Sequence, residues 1–324
     1  MIDPKTKTEL QRVRIGISSC LLGERVRYDG GHKRDSFLAD IFGRYVEWVA
    51  VCPEFEMGLG VPRESLRLVN EHGPVQLIAP NSGLDHTDLM TTYAEKRLTE
   101  LETQQLCGYV LKRGSPSCGM ERVRVYRKGV PLQKSGRGLF AENLLRRFPR
   151  LPVEEEGRLN DVRIRENFVS RVFAYRRWQI AAQEGFTTAA LIQFHSQYKF
   201  VLVAHNQAGA KRLGTLIGGV RKSTFRGTLL KYFELFFEVM QHPPTTRNHT
   251  NVLQHMAGYV SENLDRTDRS ELTELIDRYR RGLVPLIVPV TLLRHYVRKF
   301  ETAYLVDQVY LNPHPDELML LNHL

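Results

Sequence analysis

The chain has 324 residues, 42% of them apolar, with 46 basic against 36 acidic side chains and a net charge of +10. Length and composition place it among globular proteins with room for two domains, and exclude a disordered or fibrous chain. No apolar run reaches the roughly eighteen residues of a membrane span, and the first residues lack a secretory apolar stretch, so the expected location is cytoplasmic.

Val13–Ser18 alternates as a strand should and runs into Cys20, after which Leu21-Leu22-Gly23 turns the chain. Arg25–Gly31 is a polar loop with a turn at Asp29-Gly30. Residues 35–45 read as a short helix, and Tyr45–Val51 as a second strand that delivers Cys52 and Glu54. A glycine-rich loop, Met57–Glu64, leads to a hairpin over Val69–Ala79 turned near Glu71–Pro74. The recurrence of Leu89, Tyr93, Leu98, Leu101 and Leu106 predicts a helix from Asp88 to Cys107, with Gly108 as its C-cap. Tyr109–Leu111 is then a buried strand feeding the Ser-Pro-Ser-Cys-Gly loop at 115–119. Val123–Tyr126 is a further strand, followed by a basic loop and a helix near Leu139–Phe148. This order predicts an α/β domain over residues 1–150 with a mainly parallel, Rossmann-like sheet.

Pro149, Pro152 and the run Glu154-Glu155-Glu156 suggest an exposed connector, and 151–186 reads as a linker carrying a helix at Asn167–Gln183. Helical segments at about 187–205, 207–218, 221–241, 248–263, 269–281 and 287–304 make the second half all-α. That domain is assigned to 187–310, with 311–324 as a tail.

Three of the four cysteines lie just beyond short strands: Cys20, Cys52 and Cys118. Loops leaving the carboxyl ends of neighbouring parallel strands converge on one crevice, so three thiols there would make a preassembled metal site. Cys107 instead reads as a core residue at a helix end. Soft thiolates suit zinc or an iron–sulfur cluster, and no Cys-x-x-Cys knuckle favours zinc. A [4Fe–4S] cluster normally takes four thiolates, so three would leave one iron open to substrate. Glu54, two residues after Cys52, points the same way as that ligand on an extended chain and is a candidate general base. Ser115 and Ser117 flank Pro116 just before Cys118, placed either to bond cluster sulfur, substrate or water, or simply to shape the turn.

Between Lys112 and Arg137 eight basic residues, Arg122, Arg124, Arg127 and Lys128 among them, face a single acid, Glu121. With the overall charge, this favours a polyanionic partner and a phosphate-bearing substrate. No Gly-x-Gly-x-x-Gly motif is present, so no dinucleotide cofactor is expected.

Ser-Ser-Cys-Leu-Leu-Gly and Val-Arg-Tyr-Asp-Gly within 18–30, Val-Cys-Pro-Glu at 51–54 and Ser-Pro-Ser-Cys-Gly at 115–119 resemble the TudS thiouracil desulfidase family (DUF523) over roughly 12–150. The resemblance implies a [4Fe–4S] cluster held by Cys20, Cys52 and Cys118, with the open iron binding the sulfur of a thiouracil. It also implies Glu54 as catalytic acid/base and Ser115 as an active-site serine. Glu56-Met57, in the loop after Glu54, departs from the family pattern and is expected to bear on substrate access. From about 190 to 310 the chain is similar to the helical DUF1722 domain, through Phe194–Lys199, His249–Tyr259 and Leu292–Tyr296. Chains with both halves resemble RudS-type desulfidases, which implies thiolated tRNA as partner and substrate; the alternative is clearance of free thiouracil with the helical half serving another purpose, and neither a membrane nor a DNA partner is expected.

On the helical half, His195, Tyr198 and Lys199 share a face and suit RNA contacts, or an ordinary buried polar network. A metal-stabilised RNA-binding module without catalysis is the rival reading from another class.

Overall fold

The computed structural model describes residues 13–71, 73–127 and 129–322, and the chain divides into two units between Asp161 and Val162. The first unit holds eight strands among its described residues: β1 (Arg14–Ser18), β2 (Glu47–Val51), β3 (Arg67–Val69), β4 (Gln76–Ile78), β5 (Gly108–Leu111), β6 (Val123–Arg127), β7 (Val130–Gly136) and β8 (Val153–Glu155). Its two longer helices are α1 (Thr87–Thr103) and α2 (Leu139–Arg147), packed on each other.

Strands β2-β1-β5-β8, in that order, form a wholly parallel sheet, as the strand and helix order predicts. Ile15 and Ile17 of β1 are fully buried, and β5 is buried throughout, as expected of strands covered on both faces. Gly16 has a packing reason: a Cβ there would lie 2.2 Å from the ring of buried Tyr109 on β5. A second sheet, β4-β3-β6-β7, mixes the predicted hairpin (Val69 opposite Gln76) with a parallel β3–β6 pair.

Three expectations need correction. The first helix stops at Thr103 rather than Cys107, Gln105 adopts φ 54°, and Gly108 opens β5 instead of capping a helix. The buried face of α1 is Met90, Ala94, Leu98 and Leu101, while Leu89 is exposed. Leu98 and Leu101 face the core as the pattern predicts, while in the first turns the buried positions fall one residue on from Leu89 and Tyr93. Cys107 is fully buried as expected, but in the connector, where its amide donates to the Arg14 carbonyl at 2.7 Å. Next, much of the basic loop after Tyr126 is a strand, β7, paired antiparallel with β6.

The third correction bears on the site. The run Glu154-Glu155-Glu156 is no exposed connector, because β8 extends the parallel sheet with Tyr109 opposite Val153 and Leu111 opposite Glu155. Glu154 and Glu155 are buried, and each acid has a partner. Glu154 pairs with Arg158 (2.8 Å), Glu155 accepts the Met120 amide (2.8 Å), and Glu156 takes the Arg113 amide (2.7 Å) and the Lys112 ammonium. A charge run marks a solvated segment only when its charges lack such partners.

The second unit is helical: α3 (Val162–Glu184), α4 (Thr188–His205), α5 (Gln207–Gly218), α6 (Phe225–Gln241), α7 (Thr246–Val260), α8 (Arg266–Arg280), α9 (Ile287–Lys299) and the short α10 (Ala303–Val306). Thr187, Asn206, Thr245 and Asp265 accept amide hydrogen bonds at the starts of α4, α5, α7 and α8, as side chains that satisfy first-turn donors should. Trp178 of α3 centres an aromatic core, 4.5 Å from Phe186 and 5.3 Å from Phe194 between ring centroids. Among the described residues no helix is long and apolar enough to cross a membrane.

Candidate active site

Cys20 sits in the single helical turn Ser19–Leu22 that leaves β1, Cys52 directly follows β2, and Cys118 lies in the loop after β5. Strands β2, β1 and β5 are neighbours in the parallel sheet, so its carboxyl edge delivers three thiols to one place. All three border a cavity of about 200 Å³, together with Glu54, Arg63, Ser115, Arg27 and Tyr28. Burial, helped by the nearby Cys52 sulfur, pushes the Cys20 thiol up to about 11, against the pull of Lys112 and Arg27. Burial raises Cys52 and Cys118 as well, so each thiolate needs a cation to offset its desolvation. Among the described residues no three His, Cys, Asp or Glu side chains are grouped to hold a single metal ion.

The Cys118 loop is held from below. Ser115 Oγ accepts the amides of Ser117 (3.2 Å) and Cys118 (3.1 Å), so this serine shapes the turn and is also among the residues that line the cavity. The first amides of α2, which has no side-chain cap, donate to the same loop: Gly138 to the Gly119 carbonyl, Leu139 to Pro116, Ala141 to Ser117. This close seat requires glycine at 138, where a Cβ would lie 2.4 Å from the Ser117 oxygen. Gly138→Ala is therefore expected to destabilise the unit by about 1–3 kcal/mol through overpacking. It is also expected to reduce the metal retained per chain, read by thermal unfolding and metal analysis. Unchanged retention would show that the loop does not depend on this seat.

Glu54 has its side chain largely buried and clamped. Its Oε2 accepts from Arg63 Nε (3.1 Å) and Nη2 (2.9 Å), and its Oε1 accepts from the hydroxyl of fully buried Ser117 (2.8 Å). Arg63 Nη1 also donates to the carbonyls of Val26 and Gly60, both at 2.9 Å. Sequence reasoning passed over Arg63. Its signal was that it is the only basic residue between Cys52 and Arg67, in a loop with two acids just after the cysteine. Glu56 does not sit in the access path: its Oε1 accepts the Cys52 amide (2.8 Å), and its Oε2 takes the Tyr93 hydroxyl and pairs with Arg97. It supports the cysteine from behind.

A cleft of about 620 Å³ adjoins the thiol cavity, sharing Leu66, Arg113, Gly114 and Pro116 with it. Arg122 and Arg124 line the cleft with Arg67, Arg113 and Arg158. Arg127 is not in its lining and donates to the Asn70 carbonyl at 3.2 Å; Lys128 lies outside the described residues. The helical unit corrects one expected RNA contact. Tyr198 is 1% exposed, with its ring 4.7 Å from Phe194 and 5.0 Å from Phe236, so no surface remains for a nucleic acid to touch. His195 is partly buried and bonds the Tyr232 hydroxyl at 3.1 Å, part of the buried network. Lys199 is exposed, its ammonium 5.7 Å from the centre of the Tyr304 ring.

Residues 15–156, which include the whole thiol cavity, match the family described as 2-thiouracil desulfurase. Uncharacterized protein YbbK of Bacillus subtilis (strain 168) is 32% identical over 108 residues, covering 32% of this chain and 71% of that protein. The chain belongs to the 2-thiouracil desulfurase family. The desulfurase unit is fused to a second family, since residues 199–315 match DUF1722, a protein family of unknown function. Uncharacterized protein YbgA of Escherichia coli (strain K12) is 33% identical over 158 residues, covering 48% of this chain and 94% of that protein. A solved chain titled as the [4Fe-4S]-dependent thiouracil desulfidase TudS is 35% identical, covers 46% of this chain and 94% of its own length, and has a TM-score of 0.37.

Proposed function

We propose that this desulfurase hydrolyses the C=S bond of a thiolated uracil carried in tRNA, with a [4Fe–4S] cluster on Cys20, Cys52 and Cys118. The observation that carries the reading is the delivery of three soft donors, two buried and one half-buried, by three adjacent strand ends, to one cavity that also holds a clamped carboxylate. The donor set fits the cluster: three thiols, partly shielded from water, would leave one iron without a protein ligand. When bound, the cluster would supply a Lewis acid for the thiocarbonyl sulfur.

Glu54 takes the proton from a water whose oxygen attacks the thiocarbonyl carbon. A C–O bond forms, the C–S bond breaks, and sulfur leaves as hydrosulfide with no net transfer of electrons. A carboxylate offers about four acceptor sites, and three of Glu54's are taken by Arg63 and Ser117, leaving one for the water. The clamp thereby fixes the orientation of the base before substrate arrives. The arginine-lined cleft beside the cavity supports a substrate whose base is joined to phosphates, held there while the base enters. The helical unit, with Lys199 exposed, would add a docking surface. A reducing cytoplasm suits the free thiols. The second reading, free thiouracil as substrate, is favoured by the size of the thiol cavity alone.

The test is anaerobic purification with iron and acid-labile sulfide counted per chain, followed by sulfide release from thiolated tRNA and from free 2-thiouracil. About four irons are expected, lost in Cys20→Ala, Cys52→Ala and Cys118→Ala and kept in Cys107→Ala. Arg124→Glu should slow the tRNA reaction and spare the free base. Stoichiometric zinc without iron would sink the mechanism, and equal loss on both substrates would sink the cleft's role.

A further inference from the structure

The thiol cavity has one aromatic ring among its described lining residues, Tyr28, and that ring is 41% exposed. Leaving so much aromatic surface in water forgoes the stabilisation that burial gives, and the loop around it is not loose. Gly30 donates to the Arg27 carbonyl (3.0 Å), Arg27 to the Gly31 carbonyl (3.3 Å), and Gly31 to Asp29 Oδ1 (3.0 Å). The Arg63 amide donates to the Tyr28 carbonyl at 2.9 Å, and the Arg63 side chain holds Val26 two residues earlier. The same arginine clamps Glu54, so one residue sets the position of both the base and the ring. Arg27 adds a guanidinium 5.4 Å from the ring centre, which restricts the ring and places positive potential beside it.

We propose that Tyr28 is the stacking wall of the substrate site, the face against which a planar thiolated pyrimidine lies, so that its thiocarbonyl is presented to Glu54 and the three thiols. The proposal rests on the functional reading above and assigns the recognition of planarity to this residue. The remaining wall is made of aliphatic, sulfur-bearing and polar side chains, and none of its described residues offers an aromatic face. A π-face accepts any pyrimidine without reading its edges, so Tyr28 selects heteroaromatic thiocarbonyls over flexible aliphatic thioamides.

The experiment uses the full-length holoprotein with uracil, the product base, as a probe whose binding needs no turnover. Proton NMR titration should show uracil H5 and H6 moving upfield on binding, from the ring current of Tyr28. Tyr28→Phe should keep that shift and bind within about twofold of the wild type. Tyr28→Leu should lose the shift and bind roughly 5- to 150-fold more weakly, the span expected for one base–aromatic stack. In turnover, Tyr28→Leu should raise KM for 2-thiouracil far more than it lowers kcat. A thermal unfolding midpoint near that of the wild type, expected for so exposed a ring, would separate loss of stacking from loss of fold. An upfield shift that persists in Tyr28→Leu, wild-type affinity in that variant, or no uracil binding to the wild type would overturn the assignment. Absence of sulfide release from any thiolated base would instead overturn the functional reading, since uracil binding is judged separately.

Discussion

Replacing Glu54 by glutamine is expected to slow sulfide release by about 10²–10⁴-fold, the usual contribution of a positioned general base. Glutamine keeps the length of the side chain and can still meet the Ser117 hydroxyl, which lies 2.8 Å from Oε1. It cannot accept a proton from water at neutral pH. Glu54→Asp keeps the charge but withdraws it by one methylene, so its rate should fall between the two. Single-turnover sulfide release, read beside iron content, makes the test. A rate within a few-fold of the wild type, at equal iron, would remove Glu54 from proton transfer and leave it a structural partner of Arg63.

The largest effect on stability should come from Arg63→Ala. The side chains of Arg63 and Glu54 are only 6% and 13% exposed, and removing one partner of a buried pair strands the other's charge. A loss of about 3–5 kcal/mol is typical of such a change. The carbonyls of Val26 and Gly60 lose a donor at the same time. Arg63→Lys should recover little, because an ammonium cannot reproduce a fork that meets one carboxylate oxygen and two carbonyls. The double variant Glu54→Gln with Arg63→Ala should be less destabilised than the sum of the single changes, since no stranded carboxylate remains. Urea unfolding of all four proteins measures this coupling. A cost below about 1 kcal/mol for Arg63→Ala would mean that water reaches the pair and screens it.

The cysteines and the strands before them were legible because both rest on local pattern. Short apolar runs ending in Ser-Ser-Cys, Val-Cys-Pro and Ser-Pro-Ser-Cys fix strand ends, and parallel strands place their ends together. What escaped was decided by partners distant in sequence. Arg63 matters because Glu54 and Val26 lie beside it, and its local signal, a lone basic residue in an acidic loop, names neither partner. Ser115 and Ser117 look alike in sequence, yet one shapes the turn and the other bonds Glu54. Tyr198 belongs to a basic, aromatic helical motif that suits RNA, but its ring turns into the core between Phe194 and Phe236. The acids Glu154–Glu156 in and just after β8 misled for the opposite reason: their charge suggested water, while the amides and cations that need them are supplied by the β5–β6 connection and by Arg158.

Those acids also set an order in time. A growing chain carries Cys20, Cys52 and Cys118 well before it carries Glu155 and Glu156. Until those two residues have emerged, the amides of Met120 and Arg113 lack the acceptors that steady the Cys118 loop on both sides. The thiols are thus synthesised early and brought into place late. The loop that carries Cys118 is therefore braced on both sides only when the end of the unit has been made.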